Sequence, residues 1–320
     1  MSDKPQTAQD VAEMMKQMLG NLMQTAQQPD FATLNKPFKE QVKEAKQELV
    51  TRPKEDKKIK PLISYPTGTF IDTLFLDAEG KPIGGLPLAS NSILVGIPNT
   101  GKSLIVSEIA LRKANDGKKV LFITSEEVFS IDNGRYDLES RFKERAKVLG
   151  LDWKKISQNL FVLDIITNAD LREWDTFITT YRSLIENEKV DLVLMDSLTL
   201  LEDTRGQLKY RLGVFMKYNQ LNGITAIYVS QRSSDDTDAI GNLAGGISLS
   251  HIADIVMEMD FKKVWSGDSQ MKQDIPTAKQ GMEINFFKVL KNRLSRFDGH
   301  YILYTIDQNG IIQATLPQPL

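Results

Sequence analysis

The fold of this chain is decided by one stretch of sequence, Ser92-Ile93-Leu94-Val95-Gly96-Ile97-Pro98-Asn99-Thr100-Gly101-Lys102-Ser103-Leu104. Its first four residues form an apolar run that predicts a buried strand, and a helical pattern continues from Leu104 to Ala114. Between them, Gly96 to Ser103 match the pattern Gly-x-x-x-x-Gly-Lys-Ser, which binds phosphate groups where it links a strand to a helix. The sequence therefore predicts a phosphate-binding loop in the setting that such a loop requires.

The residue types in this loop suit a nucleoside triphosphate with a magnesium ion. Glycines let backbone N–H groups converge on phosphate oxygens, and the start of the following helix adds a partial positive charge. Lys102 would reach the β- and γ-phosphates, the Ser103 hydroxyl would ligate Mg²⁺, and Thr100 would add a further contact. We therefore predict that residues 96–104 bind ATP together with Mg²⁺.

Acidic residues follow two other apolar runs. Asp196 comes directly after the run 192–195, and Glu126 and Glu127 follow the run 119–124, separated from it by one serine. The carboxyl ends of parallel strands open onto the ligand crevice, so we predict that Asp196 holds the magnesium ion through water. A carboxylate beside the phosphates can orient or deprotonate the attacking water, a role that we assign to Glu126. Glu127 would support Glu126 or coordinate a neighbouring group.

The pattern of apolar runs predicts the rest of the core. Helices are predicted at 104–114, 138–149, 170–187 and 205–222, and strands at 92–95, 119–124, 160–163, 192–195, 225–229, 255–259, 283–289 and 300–306. Continuous apolar strands that alternate with helices indicate an α/β fold with a mostly parallel sheet and helices on both faces. The helices become sparse after residue 252, which predicts antiparallel strands at the C-terminal side. We place the core at 62–314, with a tail at 315–320.

Residues 1–61 differ from the core and are predicted to form a helical extension with a charged linker. Apolar residues, four of them methionines, recur with helical spacing between Val11 and Met23. This helix could dock on its own domain, or it could contact a neighbouring subunit or a protein partner, because flexible methionines suit adaptable surfaces. A role at a membrane surface is the third alternative, and the weakly basic polar face disfavours it.

The composition excludes several classes of site. The 320 residues include 40 Lys and Arg against 42 Asp and Glu, so a net charge of −2 creates no overall attraction to DNA or an anionic membrane. The absence of cysteine excludes disulfides and thiolate metal sites, and two histidines are too few for a histidine metal site. No apolar run approaches the ~20 residues of a membrane span, and the N-terminus lacks the layout of a signal peptide. We expect a cytoplasmic protein with no membrane partner.

Several motifs resemble those of the RecA/KaiC superfamily. Residues 67–74 with 84–87, which contain TGTFIDTL and GGLP, resemble the opening segment of KaiC-like proteins and of the Sms/RadA repair protein, with an insertion at 75–83. Glu126-Glu127 looks like the paired glutamates of KaiC. Residues 211–231 are similar to the RecA helix and strand that lead to its sensor glutamine, and 244–254 to the segment after the second DNA-binding loop of recombinases. Lys291-Asn292-Arg293 resembles the KNR motif of Sms.

This resemblance implies a RecA-like P-loop ATPase that functions as a homo-oligomer, either a ring or a filament, with a hexamer favoured. It implies that Lys291 and Arg293 reach the γ-phosphate bound by the neighbouring subunit, where a cation stabilises the charge that develops during hydrolysis. It also implies that Gln231 senses the γ-phosphate and signals to the loop that follows it.

The resemblance leaves DNA binding open. The two loops that hold DNA in recombinases correspond here to about 202–210 and 232–247, and four cations in or beside them could meet phosphates: Arg205, Lys209, Arg211 and Arg232. Three aspartates in the second loop oppose a polyanion. We expect a Mg²⁺-dependent ATPase that acts on single-stranded DNA in recombination or repair. The alternatives are a KaiC-like regulatory ATPase that controls a protein partner and a DnaB-like ring helicase.

Overall fold

A computed structural model describes residues 58, 60–198, 207–232, 251–264, 279–297 and 301–315. The predicted N-terminal helix and the segment 233–250 lie outside these residues, so the domain boundaries at 61 and 314 stay predictions. The helices in the described residues are α1 (Lys102–Asn115), α2 (Leu138–Val148), α3 (Trp153–Asn159), α4 (Trp174–Glu188) and α5 (Gln207–Asn222). No helix in these ranges is long and apolar enough to cross a membrane.

The same residues contain strands of which nine form one sheet. The strands are β1 (Ser64–Tyr65), β2 (Phe75–Leu76), β3 (Leu86–Pro87), β4 (Asn91–Gly96), β5 (Val120–Thr124), β6 (Leu160–Asp164), β7 (Leu192–Asp196), β8 (Thr225–Gln231), β9 (Ile255–Lys263), β10 (Glu283–Asn292), β11 (Arg296–Phe297), β12 (Ile302–Ile306) and β13 (Ile312–Thr315). The order in the large sheet is β13-β12-β10-β9-β4-β8-β7-β5-β6. Its six strands from β9 to β6 are parallel, and β10, β12 and β13 extend it antiparallel. The predicted α/β class and the antiparallel C-terminal strands are confirmed.

Both faces of the sheet are covered by helices, as predicted. Side chains alternate along a strand, so Leu94 of β4 points to the face covered by α1–α3, while Ile93 and Val95 point to the face covered by α4 and α5. Phe142 of α2 is fully buried on the first face and Phe215 of α5 on the second. Burying one such side chain away from water stabilises the fold by roughly 1.5–3 kcal/mol. The sheet is therefore rigid on both sides of the loop that leaves β4.

Two helical segments differ from the prediction, and the strands β1, β2, β3, β11 and β13 were not predicted. The predicted helix 170–187 begins as a 3₁₀ turn, Ala169–Arg172, and α4 starts only at Trp174, because Glu173 has an extended backbone. The short helix α3 was not predicted: Asp152 caps its first turn by accepting a hydrogen bond from the Lys154 N–H at 2.9 Å. Both helical differences arise from local capping, which apolar periodicity does not report.

Candidate nucleotide site

The strand register brings the phosphate loop and the predicted site residues at the ends of β5, β7 and β8 together at one end of the sheet. Gly96 at the end of β4 lies opposite Gln231 at the end of β8, and Thr124 at the end of β5 lies opposite Asp196 at the end of β7. These four strands are parallel neighbours, so the segments that follow them converge on the same edge.

The loop from β4 to α1 needs both of its glycines. Gly101 has a left-handed backbone (φ 93°), and a Cβ there would lie 3.0 Å from the side chain of Ile306. A Cβ on Gly96 would collide with the carbonyl oxygen of Met259 on β9. The loop is thus packed directly against the backbone of the neighbouring strand. Tyr304 on β12 holds it from behind, because its hydroxyl donates to the Thr100 carbonyl at 2.6 Å.

Lys102 is folded into this loop. Its ammonium donates to the Ile97 carbonyl at 2.6 Å, and the Thr100 hydroxyl donates to the same oxygen at 3.0 Å. Burial lowers the pKa of Lys102 to about 8, while the nearby carboxylates of Asp196 and Glu126 act in the opposite direction. Among the described residues, no carboxylate contacts this partly desolvated cation directly, and phosphate oxygens would compensate its charge.

The residues predicted to hold magnesium fit that ion. Ser103 and Asp196 line the same cavity beside the loop, where the hydroxyl and the carboxylate offer two oxygen donors. Oxygen donors are what Mg²⁺ prefers, and it commonly takes only one or two from protein while phosphate and water supply the others. Burial raises the pKa of Asp196, and the Ser103 hydroxyl and the fields of Lys102 and Arg141 oppose that effect. A bound cation would stabilise the ionised carboxylate further.

Glu126 lies at the centre of a hydrogen-bond network. Its Oε1 accepts from the Ser197 hydroxyl at 2.6 Å and from Nε2 of Gln231 at 3.0 Å. Ser125 ties the two strand ends together, because its hydroxyl accepts from the Ser197 N–H at 2.9 Å. Both side-chain donors bond to Oε1, so within the described residues Oε2 is the oxygen positioned to accept from water. The structure thus connects the predicted sensor Gln231 to Glu126 directly. Ser197 also bonds to Glu126, but it was not predicted as a site residue.

Glu127 faces a different partner. Its carboxylate forms an ion pair with Arg141 on α2, and both side chains are about half exposed. Its backbone carbonyl accepts from the Thr124 hydroxyl at 2.8 Å, which fixes the turn after β5. Glu126 and Glu127 are therefore adjacent in sequence but differ in role, with Glu126 bonded to the ends of β7 and β8 and Glu127 to α2.

A cavity of about 360 Å³ starts at Ser103 and Asp196 and runs along α1 and α2 to the turn at 308–310. Its far wall contains Arg145, whose guanidinium donates to the Gly310 carbonyl and to Glu108, both at 2.8 Å. The Arg145 side chain is 8% exposed, and its Nε finds no hydrogen-bond partner in the part of the chain that the structure describes. Sequence reasoning missed Arg145, although the spacing Arg141, Arg145, Val148 on α2 marks one helical face.

Lys291 and Arg293 lie at the other end of the sheet. Because β10 is antiparallel, Asn292 is paired with Ile255, which in turn lies opposite Ser92 at the start of β4. Lys291 donates to the Ala253 carbonyl at 2.7 Å, and Arg293 is exposed. Burial, and then the field of Arg293, lowers the pKa of Lys291. A single chain therefore does not bring these two residues to its own phosphate loop.

The structure treats the four predicted DNA contacts differently. Lys209 is exposed, and the Arg211 guanidinium stacks over the Trp174 ring at 5.4 Å. Arg232 forms ion pairs with Glu258, at 3.1 Å, and with Asp260, and its side chain is 8% exposed. Because the side chain is buried in these ion pairs, it is not positioned for a direct contact with DNA phosphates. Arg232 instead connects the end of β8 to β9. Arg205 lies outside the described residues.

Comparisons with known proteins agree with this geometry. A family model described as "ATPase: KaiC" matches residues 65–316. The DNA repair and recombination protein RadB of Methanobrevibacter smithii is 25% identical over 210 residues, which are 61% of this chain and 80% of that protein. The DNA repair protein RadA of Mycobacterium tuberculosis is 24% identical over 185 residues, 55% of this chain but 33% of that protein.

A solved structure supports the fold independently. The crystal structure of a KaiC-like protein from Pyrococcus horikoshii OT3 superposes with a TM-score of 0.58 at 17% identity, covering 80% of this chain and all of that one. Because the family model extends over most of the core that carries the phosphate loop, the chain belongs to the KaiC family of ATPases, within the RecA/KaiC superfamily of P-loop ATPases.

Proposed function

We propose that this protein hydrolyses ATP with Mg²⁺ in a site completed by a neighbouring subunit, and that it acts on single-stranded DNA in recombination or repair. The observation that carries the ATPase proposal is the convergence of Lys102, Ser103, Asp196 and Glu126 at one end of the sheet. Lys102 supplies a cation for the phosphates, Ser103 would ligate magnesium, Asp196 would hold that ion through water, and Glu126 supplies a base.

The residues divide the work of hydrolysis among them. Lys102 binds the β- and γ-phosphates, and Ser103 with Asp196 would hold magnesium, which would neutralise charge on phosphate oxygens. Oε2 of Glu126 orients a water molecule whose oxygen attacks the γ-phosphorus, while the bond to the β–γ bridging oxygen breaks and ADP leaves. Glu126 takes the proton of that water, and Ser197 and Gln231 hold the carboxylate in place through Oε1.

The far end of the cavity suits the nucleoside. Leu104, Phe142 and Val148 contribute apolar side chains to the lining, and the Arg145 guanidinium, which donates to the Gly310 carbonyl, lines the cavity with them. A planar guanidinium stacks on aromatic rings, so it can pack against a purine. The cavity then accommodates phosphates at Ser103 and a base beside Arg145.

The positions of Lys291 and Arg293 support a shared site. They lie at the end of the sheet away from their own loop, so they can serve a phosphate site only when a second chain presents its loop to them. We propose that they are cations supplied in trans, which makes turnover depend on assembly into a ring or filament.

A mixing experiment tests this sharing. Arg293→Ala and Lys102→Ala chains should each be nearly inactive, but co-assembled oligomers should regain activity at interfaces that join an intact loop to an intact arginine. Random mixing at equal ratio should restore about a quarter of the parent rate. Each variant makes up half of the chains, and the share of interfaces that join an intact loop to an intact arginine is the product of these two fractions. If oligomers form and the rate stays at the level of the single variants, each site is self-contained.

The DNA proposal is supported by the similarity of the chain to RadB, a DNA repair and recombination protein, and to RadA, a DNA repair protein. A KaiC-like regulatory ATPase remains the second candidate, and the exposed Glu126-Glu127 pair and the near-neutral charge favour it. A DnaB-like helicase has no comparable observation in its favour.

The two candidates differ in their response to DNA. We expect single-stranded DNA to raise the ATPase rate several-fold at low salt and to lose that effect as salt rises, because phosphate contacts release counterions. The measurement is the steady-state ATPase rate with and without a DNA oligonucleotide across a salt series. A rate that ignores DNA at every salt concentration would reject the DNA role and favour the regulatory ATPase.

A further inference from the structure

The helix α2 presents a second cation to the nucleotide cavity. Arg141 lines this cavity together with Ser103, Glu126 and Asp196, the residues at its phosphate end. Asp137 caps α2 by accepting from the Ser140 N–H at 2.8 Å, which fixes the helix turn that carries Arg141. Arg141 thus occupies a wall of the site that neither the phosphate loop nor the trans residues supply.

The partner of Arg141 is one that it can exchange. Its ion pair with Glu127 joins two side chains that are 44% and 50% exposed. Exposed pairs contribute little to stability, so this one opens easily when a better partner arrives. A phosphate offers two or three anionic oxygens in the geometry that matches the guanidinium fork, and such paired bonds are stronger than a single surface contact.

We propose that Arg141 leaves Glu127 when a nucleotide binds and contacts the terminal phosphate within the same chain. Glu127 then acts as the placeholder for the γ-phosphate, which explains why two adjacent glutamates face different partners. Arg145, one turn further along the same helix face, is held by Glu108 and Gly310 and remains at the nucleoside end of the cavity. The helix would therefore span the whole nucleotide with two arginines of different function.

This inference rests on the proposed ATP binding and adds a γ-phosphate contact to it. The experiment compares calorimetric affinities for ADP and for a non-hydrolysable ATP analogue in the parent chain, Arg141→Ala, Arg141→Lys and Glu127→Gln. Arg141→Ala should weaken binding of the analogue about tenfold or more and leave ADP affinity nearly unchanged. Arg141→Lys should recover only part of the loss, because lysine cannot form the paired contact.

Glu127→Gln separates a phosphate contact from a merely structural ion pair. Removing the competing carboxylate should tighten binding of the analogue, opposite in direction to Arg141→Ala. A structural pair would instead make both variants weaken binding together. The matched control is Lys143→Ala, which removes a cation of the same helix that pairs with Glu139 at 2.7 Å and lies over the Trp153 ring. It should change neither affinity.

The outcomes are distinguishable from failure of the ATPase proposal. If the parent chain binds both nucleotides and Arg141→Ala binds the analogue as tightly as the parent, the inference alone is overturned. Equal losses for ADP and analogue would also overturn it, because they would place Arg141 away from the γ-phosphate. A parent chain that binds neither nucleotide would overturn the proposed function and this inference together.

Discussion

Lys102→Ala is expected to abolish ATP turnover without loss of folding stability. The ammonium is the cation within the loop, and removing one preorganised donor to a transferring group lowers turnover by about 10²–10³-fold. Burial lowers the pKa of Lys102 to about 8, below its ordinary value, so at pH 7 the charged lysine disfavours the folded state. Alanine should therefore leave the Tm unchanged or raise it, while ATP binding weakens severely.

Calorimetry with Mg·ATP, steady-state turnover and thermal unfolding together check this prediction. Lys113→Ala is the control, because Lys113 is equally buried on α1 but pairs with Asp116 at 2.6 Å and lies away from the phosphates. The control should bind ATP as the parent does. A Lys102→Ala chain that hydrolyses ATP at the parent rate would contradict the proposed site. A Tm far below that of the parent would show that the lysine stabilises the folded state.

Glu126→Gln is expected to separate binding from chemistry. Glutamine keeps the shape and still offers one carbonyl oxygen to Ser197 and Gln231, so the network around it is retained. It cannot accept a proton from water, and loss of a positioned general base lowers turnover by about 10²–10⁴-fold. Affinity for Mg·ATP should stay close to that of the parent.

The measurement is single-turnover hydrolysis at saturating ATP, with binding followed separately. Glu127→Gln is the comparison, because Glu127 carries the same charge one residue away but contacts Arg141. Its turnover should fall far less than that of Glu126→Gln. If Glu126→Gln turns over within about threefold of the parent, another group orients the water.

The parts of the fold that follow from local sequence could be predicted well. The loop at 96–103 and the apolar strands carry their own pattern, so the parallel sheet and its helices were predictable from it. Local capping decided two helical features that were not predicted. Glu173 separates the 3₁₀ turn from α4, and Asp152 starts α3, and neither feature changes the apolar periodicity.

The candidate site divides in the same way. Lys102, Ser103 and Asp196 each follow a recognisable strand or motif, so their convergence could be expected from a parallel sheet. Arg141 and Arg145 reach the cavity only because α2 packs across α1, and the burial of Arg232 by Glu258 and Asp260 depends on β9 lying beside β4. Contacts between elements that are distant in sequence could not be predicted from the local pattern of residues.

The close approach of Gly96 to the backbone of Met259 has a consequence for dissecting the molecule. A fragment that ends after β8 would keep Lys102, Asp196 and Glu126, yet it would lack both the strand against which the loop rests and the Tyr304 hydroxyl that secures Thr100. Met259 acts there through its carbonyl oxygen, which every amino acid possesses. The strand therefore constrains the loop twice, through this carbonyl oxygen beside Gly96 and through the fully buried Met259 side chain, whose terminal methyl lies 3.5 Å from where a Cβ on Gly101 would be.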